Sequence, residues 1–261
     1  MYIASVYNSN AGTIELTGNE DRYQVISITG LNPPQAQINM TDPAGIDGVL
    51  FNTSRLLMRN IVITLRINGE VEKNRLELYR YFNPGDKVRF NYENNRSVYI
   101  DGRINTVECE IFSMSEVMQI SIICPDPYFR DGSLQEASWS GNVAAAVNNG
   151  DEEVGFRLTF EAGQTAYLNS ITLLKVDAGE TLTIQGSFRA YDHFEIDTEN
   201  QSFWIIRNGM RINGLNYVVR GSVFSTIKPG TSQFRLTCKS GSITFPVDNK
   251  SLTFEQLYRG V

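Results

Sequence analysis

Along most of this chain apolar and polar side chains alternate at every second position, the spacing of strands that bury one face and wet the other. Val88, Phe90 and Tyr92 alternate with Lys87, Arg89 and Asn91, and Phe156, Leu158 and Phe160 with Arg157, Thr159 and Glu161. Leu182 and Ile184, then Ile243, Phe245 and Val247, repeat the pattern. Asp101-Gly102, Asn208-Gly209 and Asn213-Gly214 tolerate positive φ, so each is expected to turn a hairpin. One segment departs from the period of two. Over 70–82 the side chains of Val71, Arg75, Leu78, Tyr79 and Phe82 fall on one helical stripe, which Asn83-Pro84-Gly85 ends. The pattern predicts a mainly β protein with a single helix of about three turns.

The rhythm breaks over 130–149, a polar stretch rich in Gly, Ser and Asn that reads as a linker. It divides the chain into residues 1–132, an N-terminal β domain with the helix and a long β-hairpin, and residues 133–261, a β-sandwich. At 261 residues the chain is long enough for two such cores.

Charge narrows the function. The formal net charge is −6, with 12 Lys/Arg against 16 Asp/Glu before residue 133 and 11 against 13 after it. Without a basic stripe to neutralise phosphates, no specific nucleic-acid binding is expected. No apolar run approaches the length of a spanning helix, so no membrane insertion is expected, and folding in the cytosol is. The three cysteines, Cys109, Cys124 and Cys238, are in phase with apolar neighbours and read as small core side chains.

Catalytic vocabulary is sparse. His193 is the only histidine and reads as exposed strand surface, without the motifs that would support a triad or a zinc site. The acids Glu108 and Glu110, and Asp192, Glu195 and Asp197, read as solvated faces. The loop 42–48 lacks the spacing of a calcium loop, and its glycines suit a chain reversal between strands. Asn32-Pro33-Pro34-Gln35 is stiff, and serves equally well as a linker or as a rigid interface element. Trp139 and Trp204 could stack on a sugar or pack within the protein, so Trp204 is kept as a candidate sugar-stacking residue. No cofactor, metal or catalytic residue is assigned, and no enzymatic activity is expected.

The first half closely resembles the N-terminal domain of the phage distal tail protein family. The resemblance is carried by GLNPP (30–34), AGIDG (44–48), FNTSR (51–55), RNIVITL (59–65), LYRYF (78–82), VYIDG (98–102) and CPDPYF (124–129). The second half is similar to the galectin-like domain that follows in those proteins, through FEIDTENQSFWI (194–205), the turns at 207–209 and 227–230, and LYRGV (257–261). The resemblance implies a structural tail-tip protein that forms a homo-hexameric ring. Its partners would be the tail tube protein on one face and the tail-associated hub or lysin protein on the other, with receptor-binding or baseplate proteins on its platform. Such a protein would assemble in the host cytoplasm and end at the tail tip of the virion, with the genome passing through its channel. The expected ring interface is the strand pair 103–112 and 117–124 with the helix, through Val107, Ile111, Val117, Ile120, Arg75 and Tyr79. The alternative function is a carbohydrate-binding or adhesin module acting through the C-terminal sandwich.

Overall fold

The computed structural model describes all residues except 1, 46, 111–115 and 164–166. Two compact units emerge: 1–132 together with 258–261, and 133–257. Antiparallel strands dominate both, as the period of two dictates.

The first unit contains β1 (Ile3–Asn8), β2 (Gly12–Glu15), β3 (Tyr23–Thr29), β4 (Ala36–Thr41), β5 (Leu50–Leu56), β6 (Arg59–Ile67), α1 (Val71–Tyr81), β7 (Lys87–Glu93), β8 (Ser97–Cys109), β9 (Val117–Cys124) and β10 (Phe129–Asp131). Its main sheet runs β2-β1-β7-β8-β9-β6-β3. Strand β6 shows why: Ile61, Ile63 and Leu65 point inward and pair with Ile122, Ile120 and Met118 of β9. Beta-branched side chains on a pleated, half-buried surface favour this pairing. Helix α1 lies where the stripe predicted it and buries Leu78, with Phe82 completing the same core just past its end. The backbone N–H of Phe82 still bonds Leu78 O, at 3.1 Å, before Pro84 stops the run.

Three expectations need correction here. Asp101-Gly102 does not turn the chain, because β8 passes straight through it and pairs Gly102 with Val88. The glycine is there for space: a Cβ would lie 2.7 Å from Ile122 Cγ2 and 2.8 Å from Ile123 O. The stretch 130–149 is not a linker either. It forms β10 and then β11 (Gln135–Glu136), β12 (Ser138–Ser140) and β13 (Val143–Asn148). Alanine's low strand propensity hid β13, in which Ala144 and Ala146 are fully buried beside the broad β20 (Gly230–Ser240). Finally, Pro246 splits the last alternating run into β21 (Ile243–Phe245) and β22 (Val247–Phe254), leaving Ile243 exposed.

The second unit is a sandwich of two sheets. Its other strands are β14 (Arg157–Ala162), β15 (Leu168–Lys175), β16 (Glu180–Phe188), β17 (His193–Asp197), β18 (Ser202–Arg207) and β19 (Met210–Asn213). One sheet runs β11-β22-β14-β17-β18-β19 and the other β12-β13-β20-β15-β16. Phenylalanines fill the space between them. Phe188 meets Phe194 edge-on at 5.3 Å between centroids, and Phe156 tilts against Phe234 at 4.7 Å. Asn208-Gly209 turns β18 into β19 with both residues at positive φ, as the dipeptide predicts.

The acids near His193 are not a solvated face. Asp192 is buried, receives two bonds from Arg207 at 2.8 and 2.6 Å, and accepts the Arg189 backbone N–H at 2.8 Å. Burial opposes its ionisation, but the Arg207 and Arg189 bonds and charges outweigh burial and hold the carboxyl below its ordinary range. Asp197, also buried, is depressed in the same way, burial being outweighed by Asn200 and Arg157. A depressed carboxyl contributes stability that is complete above its unfolded value, about 3.9, and lost as pH falls through the lower folded value. Acid unfolding of the second unit is therefore expected to begin only below about pH 4. Asp192→Asn should remove much of that acid dependence and cost about 2–4 kcal/mol at neutral pH, by leaving Arg207 without its counter-charge. Denaturant titrations of both proteins from pH 2 to 7 check this, and parallel acid profiles would refute it.

Candidate functional site, an assembly surface

The surface with most to explain is the hairpin of β4 and β5. Among the described residues these strands pair only with each other, as a separate two-stranded sheet. Every residue of β4 is exposed, as is all of β5 except half-buried Leu56. Its entry is fixed by GLNPP, where Gly30 sits at φ 84° and a Cβ would lie 2.1 Å from Asn60 O. The reversal falls in the 42–48 loop, as its glycines suggested.

The two strands are stitched by polar pairs. Asn39 donates to Thr53 Oγ1 at 3.1 Å, Asn52 to Thr41 Oγ1 at 2.7 Å, and Arg55 to Gln37 at 3.0 and 2.8 Å. A register shift between Asn39 and Met40 then sets Met40 opposite Phe51 instead of Asn52. The result is a run of bare apolar side chains: Ile38, Met40, Val49, Leu50 and Phe51, the last 64% exposed. A lone two-stranded hairpin is marginal in water, and an exposed apolar patch beside open strand edges is where proteins associate.

Arg59 holds the base of this arm. It is buried, and its guanidinium donates to Gly30 O, to Asn32 O at 2.7 Å, to Pro127 O at 3.0 Å and to Arg259 O at 2.5 Å. It also lies 4.5 Å over the Phe129 ring. Four carbonyls take the place of a carboxylate partner, and burial lowers its pKa. The Asn32–Gln35 segment thus runs from this anchor into β4 and lines a depression of about 420 Å³ with Leu57 and Met58.

The interface residues expected from sequence lie on other elements, β8, β9 and α1. Ile120 is fully buried and Val107, opposite it across β8 and β9, is half-buried against the unit's own core. Val117 is half-buried. Arg75 is 8% exposed, paired with Glu72, and its Nη1 donates to Tyr79 Oη at 3.3 Å. Ile111 lies outside the described residues. Ile120 belongs to the subunit's own core, and Val107 packs against that core while keeping part of its surface open. The exposure of the hairpin was missed because Ile38 and Met40, two apart in β4, cannot say whether their face meets the subunit's core or a partner. Trp204 is half-buried, with Arg211 stacked 4.4 Å over its ring and its Nε1 donating to Ser202 Oγ at 3.2 Å. Trp139 packs against the core of its own unit. His193 is exposed on β17, 3.0 Å from Glu161.

Comparison with solved structures places this architecture. The chain matches the crystal structure of the phage SPP1 Dit protein over 98% of its length and 99% of that chain, with TM-score 0.75 and 12% identity. It has the SPP1 Dit fold. That protein is described as a paradigm of the hub adsorption apparatus in phages that infect Gram-positive bacteria. Chains of the phage P2 baseplate in its activated conformation share the Dit fold less closely. They match at TM-score 0.53 with calcium and 0.54 with strontium, each at 9% identity and 98% coverage of both chains. No family model matches the sequence, and no curated protein matches it either.

Proposed function

We propose that this chain is a structural protein of a phage tail tip, acting through assembly and without catalysis. Six copies form a ring, with the tail tube protein on one face and the tail-associated hub or lysin protein on the other. The sandwich unit offers a platform for receptor-binding or baseplate proteins. Assembly takes place in the host cytoplasm, and the ring ends in the virion. The observation that carries this reading is the Dit fold over the whole chain, in a protein that carries an arm with exposed Ile38, Met40, Leu50 and Phe51. A head-to-tail ring covers such an arm on every subunit at once and closes without leaving an edge. Arg211 over Trp204 speaks against the alternative of sugar stacking there, because that face of the ring is already taken.

Light scattering across a dilution series tests the ring. Six copies of 29.4 kDa should give about 176 kDa. A mass of 29.4 kDa at every concentration, together with no incorporation when the tube protein is supplied, would overturn it.

A further inference from the structure

A concavity of about 510 Å³ opens on the sheet face where β1, β7 and β8 run side by side. Its walls combine Tyr7, Val88 and Pro125 with three cations, Lys87, Arg89 and Arg103, and one acid, Asp101. The cross-strand register sets Tyr7 beside Arg89 and Arg89 beside Asp101, with Lys87 opposite Arg103. Arg89 is committed, since it grips Asp101 at 2.7 and 2.9 Å and lies 3.9 Å over the Tyr99 ring. Arg103 donates to Gly85 O at 2.9 Å, and neither it nor Lys87 has a carboxylate partner among the described residues. Two exposed cations thus flank a partly apolar hollow in a protein whose net charge is −6.

The same unit carries the complement. From residue 36 to 56 the arm holds two acids, Asp42 and Asp47, at its reversal and one base, Arg55, toward its root, where it bonds Gln37. Both acids are exposed at the reversal, next to the bare Met40, Val49, Leu50 and Phe51. An acidic tip with an apolar shaft suits a basic hollow with apolar walls in both charge and character. The volume falls within the range of pockets that enclose a compact group of atoms.

We infer that the arm tip of one copy docks in the Tyr7, Lys87 and Arg103 hollow of a second copy, with Asp42 and Asp47 facing the two cations. The contact is head-to-tail, because tip and hollow are different patches of one chain, and such contacts propagate into rings. This rests on the ring reading above and specifies the joint between neighbours.

The test uses the full chain in a Cys109→Ser background. Asp47→Cys in one preparation and Arg103→Cys in another are mixed and oxidised; a disulfide-linked pair should form in the mixture and not in either preparation alone. In parallel, Lys87→Glu with Arg103→Glu should weaken association at least tenfold, as should Asp42→Lys with Asp47→Lys. Mixing these two reversed proteins should restore association, because the tip of each then meets a hollow of opposite charge on the other, and joining all four changes in one chain should restore it as well. A native mass of six copies with no cross-link and no effect of charge reversal would leave the ring standing and overturn this docking. A cross-link and charge rescue in a protein that stops at two copies would support the docking and sink the ring. Absence of both would sink both.

Discussion

Replacing Met40, Leu50 and Phe51 together by serine is expected to yield a folded monomer that no longer assembles. These side chains are exposed in the subunit and belong to neither core, so their loss should change its stability by no more than about 0.5 kcal/mol. In the ring the same three would be buried. At roughly 1.5–3 kcal/mol for each large apolar side chain, a joint loses on the order of 5 kcal/mol, more than a thousandfold in association. Light scattering reads the assembly and a thermal melt reads the fold. An intact ring from the triple variant would remove the arm from the interface. An unfolded variant would show instead that the hairpin supports its own subunit, which nothing in its exposure suggests.

The second large effect is on stability. Arg59→Leu is expected to cost about 3–5 kcal/mol, because it strands the carbonyls of Gly30, Asn32, Pro127 and Arg259, which now share one guanidinium. For a unit of this size the fall in melting temperature would be on the order of 10 °C. Arg59→Lys should recover little, since a compact ammonium cannot reach four acceptors spread around a planar fork. A loss below 1 kcal/mol would mean that water serves those carbonyls equally well. The arm should also suffer, since two of the four carbonyls lie at its entry. Proteolysis within residues 36–56 should therefore quicken in Arg59→Leu before the rest of the unit melts.

How much of this was legible beforehand varies with the range of the interaction. The helix over Val71–Tyr81 was readable because its stripe and its stop at Pro84 are local. Strand β7 was readable because Val88, Phe90 and Tyr92 alternate with Lys87, Arg89 and Asn91. The Asp101-Gly102 turn was misread because local turn chemistry said hairpin, while β9 packing against Gly102 required a glycine in mid-strand. Strand β13 was missed because alanine carries little strand signal, although a close neighbour in the sandwich makes small side chains the ones that fit. Asp192 was read as solvated because nothing near it in sequence announces Arg207, fifteen residues away across a turn.

The sequence by itself determined the mainly β class, the one helix and the inward role of Cys124 and Cys238, because these follow from periodicity and propensity. It also carried, in seven short motifs, the resemblance to the distal tail family. Only the tertiary structure decided which alternating strands face inward and which face outward. Ile120 proved to be interior, whereas Ile38 and Met40, spaced two apart in the same way, stand in water. A period of two records that one face must be covered. What covers it, the subunit's own sheet or another chain, depends on contacts between residues far apart in sequence. The anchor of the arm shows the same limit, for Arg59 reaches a carbonyl at Arg259, 200 positions along the chain.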